Sequence, residues 1–372
     1  MQNRYQIIDT TLREGEQTPG VSFSLAEKKH IIDGLALIGL AEIEIGISSR
    51  LMPDLTTLFS HCRSKHPELD VSLWSRCRTE DIGYAATLQP DILSLSIPVS
   101  DLHLKNRLEK DRDWARRALS ESITLARGLG LRVSVGFEDA TRADTAFLKE
   151  MAVLAERLGA ERIRLADTVG ISSPGRFSLL VREVQGVLTG CELAVHTHND
   201  FGMATANAVA ALEAGATWAD ATVLGLGERA GCARLEELVG YISLLTEEKA
   251  MASHHLRGLA TYVAALIGMT INPARSLIGE RIFTCETGLH LQGLQRDPTT
   301  YEPYPPERVG AERKLLFGAK SGRRAIIDRL SQLGHSLGED RITSYIKAIR
   351  ERSQAARSPL TDAELLAAVL NP

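Results

Sequence analysis

The chain has 372 residues, 44% of them hydrophobic and 24% charged, with a net charge of −4 and a mean hydropathy of −0.07. It contains no basic block of the kind that marks a nucleic-acid footprint, and no apolar run near the length of about 20 residues that spans a bilayer. The length exceeds one ordinary domain and fits a barrel of roughly 250 residues with an appendage. Residues 6–11 read as a first β-strand, and no basic-then-apolar leader precedes them, so a secretory signal is not expected. Further β-branched runs follow at 41–47, 71–76, 92–97, 132–137, 162–166, 193–198 and 218–224. Amphipathic stretches lie between them, at 24–38, 143–158, 174–187 and 203–214 among others. The first opens with Ser24 and Glu27, a capping-box pair.

Eight strands, each followed by a helix, imply right-handed parallel crossovers. An open doubly wound sheet would show the same alternation. The count of eight and the extent to about residue 250 favour an α/β chain with a (β/α)8 TIM barrel over residues 1–250. From there the strand signal stops. Helical patterns at 252–269 and 322–333 flank a Pro-rich irregular stretch at 297–306, and a last helix is expected from Thr361, with Glu364 completing a second capping box. Residues 251–372 therefore read as a mainly helical C-terminal extension, without an internal repeat. The five cysteines (Cys62, Cys77, Cys191, Cys232, Cys285) are scattered, with no CxxC pair, as expected of reduced thiols in a cytoplasmic protein.

In barrels of this kind chemistry sits at the C-terminal ends of the strands. The first strand ends in Asp9-Thr10-Thr11-Leu12-Arg13-Glu14-Gly15-Glu16-Gln17 and the seventh in His196-Thr197-His198-Asn199-Asp200. Residues two apart in a strand share a face, so His196 and His198 can point at one ion. Glu14 would complete a set of two imidazoles and one carboxylate with positions left open. A His-x-His pair on a strand is more often incidental. Its place at the strand end, with an acidic partner there, is what favours a metal role. Glu44, between Ile43 and Ile45, needs a partner if it faces the core, and Arg13 is one strand away. The fifth strand ends in Glu138-Asp139. After the eighth come Gly225, Gly227 and Arg229 within a GxGxxxG loop, which is either a phosphate site of the kind barrels carry there or a tight turn.

Seven segments together resemble the homocitrate synthase / isopropylmalate synthase family of metal-dependent barrel enzymes. They are DTTLREGEQTPG from Asp9, EIEIG from Glu42, GFEDATRAD from Gly136, RLADTVG from Arg164, HTHNDFGMATANAVAALEAGA from His196, GLGERAG from Gly225 and ETGLH from Glu286. The run LSIPVSDLHLKNRLEKDR from Leu95 is most similar to the homocitrate synthases associated with nitrogenase cofactor assembly. The resemblance implies condensation of acetyl-CoA with a 2-oxo acid, 2-oxoglutarate being favoured. It implies a divalent ion (Mg2+, Mn2+ or Zn2+) on Glu14, His196 and His198, with Arg13 against the reacting oxygen and Glu44 fixing Arg13. Gln17 and Thr168 would contact substrate. His290 would deprotonate acetyl-CoA, partnered by Glu138 and near Tyr301, often from the neighbouring subunit of a homodimer. Gly225, Gly227 and Arg229 would contact the cofactor.

Two positions depart from the family. Cys232 stands where relatives often have Asn, either as a soft metal ligand or as a buried structural thiol. Ser134 replaces an arginine that lysine-pathway relatives use for the distal carboxylate, leaving Arg164 and Arg76 (with Arg78 near it) as candidates. The chain ends before any leucine-binding regulatory domain, which disfavours a leucine-inhibited isopropylmalate synthase. A carbon–carbon lyase of the hydroxymethylglutaryl-CoA type shares the barrel and the His-x-His site but has a different first-strand motif.

Overall fold

The structure is a computed structural model describing residues 5–246, 251–335 and 338–370. Eight parallel strands close into a barrel: β1 (Gln6–Asp9), β2 (Glu42–Ile47), β3 (Asp70–Arg76), β4 (Ile92–Pro98), β5 (Val133–Glu138), β6 (Arg162–Asp167), β7 (Glu192–Thr197) and β8 (Trp218–Ala221), with β8 paired back onto β1. Helices return the chain between strands: α1 (Leu25–Ile38), α2 (Leu55–Lys65), α3 (Thr79–Leu88), α4 (Asp101–Leu108), α5 (Arg112–Gly128), α6 (Thr145–Arg157), α7 (Pro174–Gln185) and α8 (Ala204–Ala214), followed by α9 (Leu235–Leu245) and α10 (Leu256–Leu266). The expected capping box at Ser24 and Glu27 opens α1.

Strand alternation builds two cores. Outward residues such as Ile43, Leu73, Leu95, Val135, Phe137, Leu165 and Val195 are buried under the helices, each stabilising by about 1.5–3 kcal/mol. Inward positions carry charge instead. Glu42 and Glu44 on β2 reach Arg162 and Arg164 on β6, four strands round the barrel, at 2.8 and 3.1 Å. Buried carboxylates require partners of this kind.

β1 and β8 end earlier than the sequence suggests. Asp9 accepts hydrogen bonds from the Thr11 N–H and hydroxyl, both at 2.9 Å, which curls the chain away from β2. After β8 a short 3-10 turn, Val223–Gly225, does the same. Two compact units divide between Thr270 and Ile271, where the sequence reading put the boundary at residue 250. The difference is α10, which packs on α1 of the barrel layer. The second unit is mainly helical, with α11 (Gly288–Arg296), α12 (Arg323–Gln332), α13 (Glu339–Ala356) and α14 (Asp362–Leu370) around a core that includes Leu291, Phe317, Ile326, Ile349 and Leu365. The box at Thr361 and Glu364 caps α14. Among the described residues no helix is long and apolar enough to cross a membrane.

Candidate active site

Beyond β1, the N–H groups of Arg13, Glu14 and Gly15 all donate to the carbonyl of Thr10, at 3.0, 2.7 and 3.2 Å. This tight turn aims the Arg13 and Glu14 side chains into the mouth of the barrel, where both are buried. His196 is on β7. His198 lies one step past its end, held by an antiparallel bridge to Cys232. The Nε2 atoms of the two histidines are 3.1 Å apart, and they lie 3.8 and 3.9 Å from Glu14 Oε2 and Oε1. Ligands at bond lengths of about 2.0–2.2 Å from one ion have separations of this order. Burial, reinforced by His196, pushes His198 down to about 3, so the ring is a neutral imidazole with a lone pair to give. Burial pushes Glu14 up, but Arg13 and the two imidazoles outweigh it and hold the carboxyl below its usual range.

Behind the histidines is a lattice of buried charge. Asp220 on β8 meets His196 Nδ1 at 2.9 Å, which leaves Nε2 to face Glu14. Arg13 Nε donates to Glu44 Oε2 at 2.6 Å, and its Nη1 contacts Glu14. Arg164 donates through Nη1 and Nη2 to the other Glu44 oxygen, both at 3.1 Å, while its Nε lies 3.3 Å from Asp220. Burial opposes ionisation of Glu44, but Arg13 and Arg164 overcome it and lower its pKa. Three carboxylates (Glu14, Glu44, Asp220) thus face two guanidiniums. The excess of negative charge is what a buried cation would neutralise, so the residues present fit a divalent ion.

A cavity of about 250 Å³ opens over this set. Arg13, Glu14, Gln17, Glu138, Arg164, Thr168, His196 and His198 all line it. The Thr168 hydroxyl accepts from the Asp139 N–H at 2.8 Å, leaving its own proton to donate. Glu138 accepts from Ser96 at 2.9 Å and pairs with Arg107 on α4 at 2.5 Å.

Other expected residues are elsewhere. Ser134 is at the opposite, N-terminal end of β5, where its hydroxyl accepts from Arg162 at 3.3 Å in the deeper charge layer. It lines a separate depression there, because it lies four positions before Glu138 along the strand. Arg76 is pinned to Asp81 at 2.7 Å and is not in the cavity wall. The glycine loop is a support, not a phosphate cradle. The Gly227 N–H donates to Thr18, that of Glu228 to Glu14 and that of Cys232 to the Gly225 carbonyl. Gly227 has φ +158, and a Cβ there would come within 3.2 Å of Glu14 Oε1, so the missing side chain is what lets the loop close on Glu14. Arg229 is committed to Asp200 at 2.8 Å and to the Thr168 carbonyl at 2.8 Å. Cys232 is buried, with Sγ directed at Thr222 and the Leu226 carbonyl. Burial pushes its thiol up, as befits a structural thiol. His290 and Tyr301 belong to the second unit, where their rings stack with centroids 4.1 Å apart.

Asp220, Arg107, Ser96 and Trp74 escaped the sequence reading. Only Asp220 carried a signal: an acid in the short apolar strand Trp218–Ala221, which must have a partner inside.

Residues 4–263 match the family model described as HMGL-like, and residues 277–357 match a homocitrate synthase post-HMGL domain-like model. A homocitrate synthase from Frankia alni is 42% identical over 88% of this chain and 93% of its own length. The 2-isopropylmalate synthase 2 from Caldanaerobacter subterraneus is 36% identical over 97% and 94%. The HMG-CoA lyase from Brucella melitensis superposes with a TM-score of 0.64 at 21% identity, over 72% of this chain and all of that one; at that identity the likeness is one of fold. The chain belongs to the HMGL-like family, in the branch that contains the homocitrate and isopropylmalate synthases.

Proposed function

We propose that this chain is a homocitrate synthase, an acyltransferase that condenses acetyl-CoA with 2-oxoglutarate and hydrolyses the product thioester, releasing CoA. The observation that carries the reading is the convergence of Glu14, His196 and His198 beside Arg13, with Glu44 locking Arg13 in place. A divalent ion on those three side chains would supply Lewis-acid polarisation of the 2-oxo acid's carbonyl. Arg13 is placed to stabilise the negative charge that develops on the keto oxygen. The Glu44–Arg164 pair keeps that guanidinium from turning away. Thr168 donates its hydroxyl proton to a substrate carboxylate, and Gln17 contacts the same substrate from the mouth.

A proton must leave the acetyl methyl group before its carbon can attack the keto carbon. We assign it to His290, steadied by Tyr301 and supplied from the partner copy of a cytoplasmic homodimer, with Glu138 as that base's partner. The new carbon–carbon bond forms, the former keto oxygen takes up a proton, and water cleaves the thioester into CoA thiol and carboxylate. Homocitrate made in this way would serve nitrogenase cofactor assembly.

The distal carboxylate of 2-oxoglutarate needs a cation. Arg164 is buried between Glu44 and Asp220, so we assign the task to Arg107, which pairs with Glu138 but is half-exposed at the cavity wall and can turn to a substrate. A shorter or apolar 2-oxo acid is the second reading, favoured by Trp74, Gly136 and Ala166 in the same wall. Thiol release from acetyl-CoA, measured against 2-oxoglutarate, 2-oxoisovalerate and pyruvate, separates them. The highest kcat/KM is expected with 2-oxoglutarate. A tenfold preference for 2-oxoisovalerate or pyruvate would overturn the assignment.

A further inference from the structure

A second convergence of metal-ligating side chains lies away from the cavity. Asp33 is on α1, His61 on α2, and His66 is the residue that ends α2. His61 Nε2 and His66 Nε2 approach the same oxygen, Oδ1 of Asp33, at 2.7 and 2.6 Å. The three ligand atoms lie within 4.8 Å of one another. Because α2 runs back from the C-terminal end of β2, His66 sits at the opposite end of the barrel from Glu14, so this cluster shares nothing with the condensing site.

Two imidazoles aimed at one carboxylate oxygen must each present a proton to it, or a single cation must replace both protons. The side chains are set for the second arrangement. His61 is only 9% exposed and cannot swing out, whereas Asp33 is 33% exposed and His66 21%, which leaves the outward side open to water ligands. The rings are held edge-to-face, with centroids 5.9 Å apart and planes at 67°, so their lone pairs converge without stacking. Among the described residues the other charge paired with the carboxylate is Lys65, at 3.5 Å from Oδ2 and mostly exposed, free to withdraw. Two imidazole nitrogens and one carboxylate oxygen favour a borderline transition ion.

The geometry points to a structural transition-metal site at Asp33, His61 and His66, of the Zn2+ class, which clamps the end of α2 to α1 in the outer helical layer. The test is metal counting on the full chain. Chelator-stripped protein is dialysed against Zn2+ and then Co2+, bound metal is measured, and the cobalt absorption spectrum is recorded. Wild type is expected to hold two equivalents, the second with Kd below about 1 μM. His61→Ala, His66→Gln and Asp33→Asn should each hold one, with thiol release from acetyl-CoA changed less than twofold and without the rise in Tm that the second equivalent of Zn2+ gives wild type. The conservative His66→Gln and Asp33→Asn variants serve if His61→Ala does not fold. One equivalent held alike by wild type and the variants, a second equivalent only above about 0.1 mM, or a second equivalent that survives in the variants would each overturn the site. The three residues would then be a hydrogen-bonded helix clasp.

Discussion

Asp220 and His196 sit side by side on β8 and β7, the carboxylate accepting a hydrogen bond from Nδ1–H at 2.9 Å. That contact selects the tautomer whose Nε2 lone pair faces Glu14. Outer partners of this kind typically contribute 10–100-fold to metal affinity. Asp220→Asn is therefore expected to weaken divalent-ion binding by about that factor, with unchanged circular dichroism. Isothermal titration of the stripped protein would measure it, and an affinity within twofold of wild type would refute the tautomer argument.

Glu44 takes Arg13 on one oxygen and Arg164 on the other. In Glu44→Gln both guanidiniums stay buried, and the one carboxylate of the three that they share is gone. Breaking a buried pair from one side costs about 3–5 kcal/mol. Urea unfolding should show a loss of that order, and kcat should fall by about 10²-fold or more as Arg13 loses its orientation. A stable variant with normal kcat would mean that Glu44 does not hold Arg13.

For Arg107 the expected effect is on substrate selection. Replacing a charge-assisted contact worth about 1.5–3 kcal/mol should raise KM for 2-oxoglutarate by about 10–150-fold in Arg107→Ala. The KM for acetyl-CoA should change little. Equal rises in both would assign Arg107 to general packing of α4.

Asp9 offers a pH signature. Burial is the largest influence on its carboxyl, and against the Thr11 hydrogen bonds it lifts the folded pKa from 3.8 to about 7. The unfolded chain loses this proton near 3.8 while the folded chain keeps it. Stability from this group is thus complete below 3.8 and declines as pH rises towards 7, with a slope of up to about 1.4 kcal/mol per unit. Asp9→Asn should flatten that slope between pH 4 and 7 in denaturant titrations. An unaltered slope would show that Asp9 ionises in the fold as freely as in the unfolded chain.

The barrel could be read from the sequence because its outer core obeys simple periodicity: Ile43, Val135 and Leu165 alternate with inward residues on each strand. Glu14, His196 and His198 could be read because a strand end fixes which way they face. What stayed hidden depends on distance across the barrel. Arg164 looked free to receive a substrate carboxylate until the fold set Glu44 opposite it, a partner 120 residues away. Ser134 shares a strand with Glu138, yet a strand advances about 3.3 Å per residue, which carries it to the other end. The glycine loop has a composition common to phosphate sites and supports. Only its closure on Glu14 distinguishes the two.

Arg229 ties the segment after β8 to the Thr168 carbonyl after β6 and to Asp200 after β7. Gly170 makes the third side of the knot: a Cβ there would fall 2.4 Å from Asp200 Oδ2. These three loops are consequently one unit of inheritance. A chimera that imports a relative's loop after β6 alone, to change which acid is accepted, would bring a mismatched surface to Arg229 and disturb Glu14 through Gly227. Exchanging residues 168–172, 199–203 and 226–232 as a set is the recombination that this barrel permits.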